Sequence, residues 1–163
     1  MLKIYSHHIL FLIIVLLGGS NAVVSQNKAI WSGNYVLKSS KAEAIDSIRI
    51  RKAKDANKDD LASRFESDLS RWKIASKNDN YEDELIARRF LFDIESYRNE
   101  YEQFGWTTMH SKGEIECIDA GHFFMCQTTP NSQVKIDDEA FFTKTGVFGI
   151  RLHYGLFELE KYE

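Results

Sequence analysis

The sequence predicts an α+β domain: a twisted antiparallel β-meander, open or partly closed into a barrel, with two helices inserted after an N-terminal hairpin. Three observations support this fold class. Apolar residues alternate with polar ones near both ends of the chain, they repeat at helical spacing in the middle, and short turns separate the C-terminal strands. Such short turns indicate antiparallel neighbours, because a parallel return needs a long crossover.

The composition is that of one ordinary globular domain. The chain has 163 residues, of which 44% are hydrophobic and 13% aromatic, with a single proline. Disordered chains are poor in aromatic residues, so that class is excluded. Two cysteines are too few for a disulfide-dense scaffold, and a formal net charge of −3 argues against a dedicated nucleic-acid binder.

Residues 1–22 have the pattern of a secretory signal peptide. Lys3 precedes an apolar run over 9–17, and Ser20 and Ala22 lie at positions −3 and −1 of a cleavage site. The run is shorter than the about 20 apolar residues that span a membrane. We therefore expect residues 23–163 to be a single exported domain, periplasmic in a bacterium and secreted otherwise, without a stable membrane anchor after cleavage.

Two strands are predicted at the start of this domain. Alternate positions from Trp31 to Leu37 share one face, and isoleucines alternate with arginines over 48–51. The string Trp31-x-Gly33-x-Tyr35 resembles the opening of lipocalin-like up-and-down barrels. That resemblance implies a barrel interior that could hold a small ligand.

Two helices are predicted in the middle of the chain. Hydrophobic residues fall on one helical stripe from about 60 to 73, although Trp72 and Ile74 also fit strand alternation. From 81 to 104 hydrophobic residues recur over about seven turns, with Asn80 placed as the N-cap and Gly105 as the left-handed stop. This second, longer helix is expected to present a solvated charged face.

The two cysteines indicate the register of a C-terminal hairpin. If Gly121 and His122 occupy the turn, Cys117 lies opposite Cys126 as a non-hydrogen-bonded pair, whose Cα separation of about 4.5 Å suits a disulfide. An exported protein meets an oxidising environment, so we predict a Cys117–Cys126 disulfide. Its short loop predicts that the bond pins a hairpin more than it holds the fold. A metal site would need a second ligand pair at zinc spacing, which the sequence lacks, and none is predicted.

Four residues are candidates for a binding site. Arg151 and His153 share a strand face with glycines that leave space for a ligand, and this face would line a groove or barrel mouth and pair with an anionic group. The opposite face, from Phe148 to Tyr154, is predicted to be core. Asp119 and His122 place a carboxylate and an imidazole on the hairpin tip. The structural alternative is that the glycines serve sheet curvature and that Arg151 pairs with a local acid.

The sequence favours binding over catalysis. It contains no Gly-x-Ser-x-Gly, His-Glu-x-x-His, Walker or dinucleotide-binding string, and no cofactor is predicted. The leading expectation is an exported non-enzymatic protein that engages a protein partner, as an inhibitor or immunity-type factor does. One alternative is a lipocalin-like carrier of a small apolar or anionic ligand, and another is a hydrolase that uses dispersed His and Asp residues. A carrier needs a cavity of about 300 Å³ or more, whereas a filled core with an exposed apolar patch favours a protein partner.

Overall fold

Eight strands close into an antiparallel barrel in the computed structural model, which describes residues 31–39, 43–53, 70–93, 98–136, 139–151 and 155–163. The strands in chain order are β1 (Gly33–Lys38), β2 (Ala44–Lys52), β3 (Arg71–Ser76), β4 (Glu84–Arg89), β5 (Phe92–Asp93), β6 (Arg98–Asn99), β7 (Glu116–Asp119), β8 (Phe123–Gln127), β9 (Ser132–Ile136), β10 (Glu139–Thr143), β11 (Val147–Arg151) and β12 (Gly155–Tyr162). The order around the barrel is β1, β12, β11, β8, β7, β4, β3, β2. Each barrel strand therefore pairs with its neighbours along the chain, and the first pairs with the last, as in an up-and-down barrel.

Two excursions leave this barrel and lie on its outside. The first joins β4 to β7 and contains the β5–β6 hairpin, a 3₁₀ helix over Glu102–Phe104 and the short helix α1 (Thr107–Ser111). The second joins β8 to β11 and is the β9–β10 hairpin. No helix among the described residues is long and apolar enough to cross a membrane.

The barrel interior forms the first of two hydrophobic cores. Inward positions of seven barrel strands contribute to it, as does Trp31 just before β1. Its buried members are Trp31, Tyr35, Leu37, Ile48, Ile50, Trp72, Ile74, Ala87, Ile118, Phe123, Met125, Phe157 and Leu159. Trp31 meets Trp72 edge-on, with ring centroids 6.4 Å apart, and Phe123 stacks on Phe157 at 5.7 Å. Side chains therefore fill most of the barrel, as expected for an eight-stranded barrel.

The second core, here called the outer core, lies between the barrel wall and the two excursions. Its buried members are Phe90, Tyr101, Trp106, Ile115, Cys117, Cys126, Val134 and Phe148. Trp106 packs edge-on against Phe148 at 5.8 Å and donates its indole hydrogen to the carbonyl of Lys135 at 2.8 Å. The wall formed by β7, β8 and β11 is thus covered on both faces, which gives the abundant aromatic residues two places to be buried.

The predicted helix over 81–104 is wrong. Residues 84–89 form β4, residues 102–104 form one turn of 3₁₀ helix, and Asn80 and Tyr81 adopt positive φ in the turn before β4. A spacing of four residues returns to the same face of a strand as well as of a helix, so the stripe does not distinguish the two. Pairing with β3 and β7 decides the conformation of this segment. Gly105 does adopt the predicted left-handed conformation, at φ 69°, but it ends the 3₁₀ turn.

The other predicted helix, over about 60–73, lies largely outside the described residues. Its last three positions belong to β3, in which Trp72 and Ile74 point into the barrel. Strands make up 60% of the structure and α1 has five residues, so an α+β fold with two inserted helices is not confirmed. The predicted antiparallel meander is confirmed, and the sheet closes completely.

Candidate functional site

One end of the barrel opens into a cavity of about 220 Å³, here called the mouth cavity. It lies where β3 and β11 end and where β8 begins, since Ser76, Arg151 and Phe123 line it. Its apolar lining consists of Leu37, Ile48, Ile74, Leu85 and Phe123, and its polar lining consists of Ser76, Asp79, Asp83 and Arg151. The cavity therefore has apolar walls and a polar rim.

Arg151 is the sequence-predicted site residue that the structure places in this cavity. It is the last residue of β11, and its Nη1 lies 3.9 Å from Oδ2 of Asp46. Its side chain is 38% exposed. The other member of the predicted pair, His153, lies outside the described residues.

The strand face that carries Arg151 is directed into the barrel. Gly149 shares this face, and a Cβ there would lie 2.8 Å from Cε2 of Phe157 and 2.9 Å from the carbonyl oxygen of Phe124. The space that this glycine leaves is thus occupied by core side chains and backbone. Phe148, on the opposite face, is fully buried as predicted, but it belongs to the outer core.

Asp46 is a mouth residue that the sequence analysis missed. Its carboxylate accepts hydrogen bonds from the backbone N–H of Ser47 at 2.7 Å, the hydroxyl of Ser76 at 2.6 Å and the backbone N–H of Asn78 at 3.3 Å. The side chain is only 2% exposed. Its position carried a signal, because Asp46 has the same parity as the inward-facing Ile48 and Ile50, which placed a carboxylate inside the sheet.

The loop between β3 and β4 supplies the remaining acids of the rim. Residues 77–83 form this loop, and both Asp79 and Asp83 are exposed and line the mouth cavity. Backbone N–H groups of Tyr81 and Glu82 donate to the carbonyls of Ser76 and Asp79 at 2.8 and 3.0 Å. These hydrogen bonds fix the course of the loop that carries the two aspartates.

Asp119 and His122 do not line the mouth cavity. One oxygen of the Asp119 carboxylate accepts the N–H of Gly121 at 2.8 Å, and the other accepts from Nη2 of Arg88 at 3.2 Å. Hydrogen bonds from Arg88 to Glu100 raise the pKa of this guanidinium, so Arg88 stays charged. His122 is exposed in the turn. Asp119 therefore shapes the hairpin and anchors it to β4.

The predicted Cys117–Cys126 disulfide is present, with a Cα separation of 4.1 Å and the predicted register. The backbone N–H of Cys117 donates to the hydroxyl of Tyr101 at 3.2 Å, and its carbonyl accepts from the N–H of Phe90 at 3.0 Å. Cys117 therefore makes these backbone bonds outside its own pair, as a non-hydrogen-bonded position allows. The bond is buried in the outer core, so it does not merely pin an exposed hairpin tip.

Within the described ranges, no group of three His, Cys, Asp or Glu side chains is arranged to hold a metal ion. The mouth cavity is an apolar pocket below an acid-rich rim, and this combination suits a ligand. No protein-family model, curated protein or solved structure matches this chain.

Proposed function

We propose that this protein is a non-enzymatic binding protein that holds a small molecule in the mouth cavity. The observation that supports the proposal is the combination of five apolar lining residues with four polar ones at an open barrel end. Sites for small molecules combine apolar walls with a few placed polar groups and often lie in the mouths of barrels. This proposed function corresponds to the carrier alternative. We also propose that the protein is exported.

The size of the cavity limits the ligand. At about 220 Å³ it falls short of the about 300 Å³ expected of a carrier, so only a ligand smaller than carriers usually hold would fit. An apolar cavity of about 150 Å³ accommodates benzene, so the mouth cavity suits a substituted single ring or a compact aliphatic molecule. A long lipid or a multi-ring ligand would require the barrel to open.

The second candidate is the leading expectation from the sequence, a protein partner of the inhibitor or immunity type. The observation that favours it is Phe142, which is 54% exposed on the outer β9–β10 hairpin. Among the described residues, the other exposed large hydrophobic side chains lie on β2, β4 and β12, and Leu85 and Ile86 point to opposite faces of β4. Because these exposed residues are dispersed over several strands, binding of a protein partner is the second candidate function. The hydrolase alternative gains no support, because Asp119 holds its own hairpin and His122 lies outside the cavity.

The test is an NMR titration of ¹⁵N-labelled protein with benzyl alcohol, a neutral probe of suitable size. We expect saturable shifts of amides around Ser76, Leu85 and Arg151. Leu85→Trp should fill the mouth cavity and abolish these shifts. The matched control is Ile86→Trp, because Ile86 is adjacent and 52% exposed but faces away from the barrel, and this variant should bind like the wild type.

Two results would contradict the proposal. One is the absence of saturable shifts in the wild-type protein with benzyl alcohol and with charged benzene derivatives of similar size, and the other is equal binding by Leu85→Trp and Ile86→Trp. A stoichiometric protein that co-purifies from the native source, and that is lost on Phe142→Ala but retained on Leu85→Trp, would establish the second candidate instead.

A further inference from the structure

We infer that the ligand of the mouth cavity is a small organic cation, an amine with a compact apolar body, whose charge is recognised by Asp79 and Asp83. This inference rests on the proposed function, because it names the class of molecule that the same cavity selects. The sequence analysis expected an anionic group opposite Arg151. The charges gathered at the mouth support the reverse sign.

The positive charge of Arg151 is offset within the protein. Its guanidinium lies 3.9 Å from the carboxylate of Asp46, which is almost completely buried. Asp46 is held there by hydrogen bonds from Ser47, Ser76 and Asn78, so it cannot turn away to leave the arginine uncompensated. A buried opposite charge at this distance lowers the attraction of Arg151 for an incoming anion.

Two further acidic residues line the mouth cavity. Asp79 and Asp83 both line the cavity, and Arg151 is the only cation among the described lining residues. With Asp46 included, three acids stand against one base among the described residues at the cavity, so their formal charge is negative. An anionic ligand would approach two carboxylates, whereas an ammonium group would be attracted to them.

The loop that carries the two acids has a fixed course before a ligand arrives. Asn80 and Tyr81, between the two aspartates, adopt positive φ of 52° and 58° in the hydrogen-bonded loop. The guanidinium of Arg49 lies 4.6 Å from the centre of the Tyr81 ring and packs on the loop from the barrel exterior. A loop fixed in this way loses little conformational freedom on binding, so the charge at the rim contributes to selectivity.

The apolar part of the ligand is also defined. Below the rim the walls are Leu37, Ile48, Ile74, Leu85 and Phe123, and none of these side chains has a polar atom. A hydrated metal ion or a polyamine would leave these walls unused. A ring or a short branched chain that carries one ammonium group would use both the walls and the rim.

The experiment compares benzylamine, benzyl alcohol and benzoate, which share a benzene ring and differ in charge at neutral pH. Binding is measured by NMR titration at low ionic strength. We expect benzylamine to bind at least about tenfold more tightly than benzyl alcohol, a difference of about 1.4 kcal/mol, and benzoate to bind more weakly than either. Added salt should reduce the advantage of the amine, because the rim is open to solvent.

The variant that tests recognition is Asp79→Asn combined with Asp83→Asn. It should lower the affinity for benzylamine to about that for benzyl alcohol, so that the preference for the amine is lost. Glu82→Gln is the matched control, because Glu82 is an exposed acid of the same loop that does not line the cavity. Each single Asp→Asn variant is measured as well, and the amide spectrum shows whether each variant is folded.

The outcomes separate the two proposals. If benzyl alcohol binds in the mouth cavity and benzylamine is no tighter, or if benzoate is the tightest, the inferred cation selectivity is wrong and the small-molecule function stands. If the double variant and Glu82→Gln reduce benzylamine binding equally, the recognition by Asp79 and Asp83 is wrong. If none of the three probes binds, the proposed function fails, and the selectivity inferred from it fails too.

Discussion

Tyr35 is almost completely buried in the barrel interior, and this burial raises the pKa of its hydroxyl to about 12 from an ordinary value of 10.0. The unfolded chain therefore ionises this residue at a lower pH than the folded protein does. A raised folded pKa gives stability that is complete below about pH 10 and is lost as the pH rises towards 12. We expect this residue to lower the free energy of unfolding by up to about 2–3 kcal/mol across that range.

The measurement is urea unfolding at a series of pH values from 8 upwards. Tyr35→Phe should show a shallower alkaline loss of stability than the wild type, because the group that titrates is removed. Tyr162→Phe is the control, since Tyr162 is 40% exposed at the end of β12, and this variant should keep the wild-type slope. Equal slopes for the wild type and Tyr35→Phe would contradict the assignment. Tyr101, whose pKa burial also raises, leaves a residual slope in both variants.

At the same scale, the sequence predicted some site residues and not others. Arg151 stood out because a cation beside glycines on a strand is unusual, and it lines the mouth cavity. Asp46 did not stand out, because its importance depends on which face of β2 is inside. Asp83 falls in the first turn of the predicted helix over 81–104 and Asp79 falls just before its N-cap, so neither stood out as a site residue. Their meeting with Arg151 at one rim depends on barrel closure, which no local pattern expresses.

Among the elements, the outer core determines how the disulfide behaves. Cys117 and Cys126 are at most 1% exposed and share this core with Trp106 and Phe148. A reducing thiolate must reach a sulfur atom in line, so the outer core has to open first. We expect dithiothreitol to reduce the bond slowly in native buffer and rapidly in urea, as measured by alkylation and mass spectrometry.

A pair of variants locates this protection. Trp106→Ala removes a large side chain from the outer core, at a cost of about 3–5 kcal/mol in stability, and should speed native-state reduction. Phe142→Ala alters an exposed ring on the neighbouring hairpin and should leave the rate unchanged. Rapid reduction of the native wild-type protein would show that the sulfur atoms are accessible and would contradict this account.

The elements also show where hydrophobic spacing is informative. The hairpin β7–β8 was predicted in its correct register, because a turn signal and two cysteines constrained the same pairing. β4 was predicted as helix, because residues four apart share a face in both structures. Its partners β3 and β7 are separated from each other by some forty residues of chain, so local sequence carries no record of the pairing that decides it.

For the whole molecule, closure through β1 and β12 removes the edges of the main sheet. Five residue pairs join these strands, among them Leu37 with Leu159, both of which are buried. We expect hydrogen-exchange protection of the bonded amides of β12 to match that of β8. Bonded amides of β10, in the two-stranded sheet on the exterior, should exchange faster. Exchange of β12 at the rate of β10 would show that the barrel opens at this seam.

The two cores among the described residues account for much of what the composition left open. The 13% aromatic content predicted a large buried volume but not that it would be divided by a sheet. Both faces of β11 are covered, since Phe148 and Gly149 are buried on opposite sides, so alternation of apolar and polar residues could not indicate which face was interior. The predicted leader over 1–22 lies outside the described residues, and export remains a prediction.

Among the described residues, the outer core braces one side of the barrel wall. On the side of β7, β8 and β11 a second layer of aromatic side chains and a disulfide brace the wall. On the side of β1, β2 and β3, outward residues such as Arg49 and Arg51 are exposed, and surface ion pairs such as Lys73 with Glu84 lie against solvent. Leu37, Ile48 and Ile74 line the mouth cavity from this second side. We therefore expect a ligand slightly too large for the cavity to displace β1, β2 and β3, while β7, β8 and β11 keep their positions.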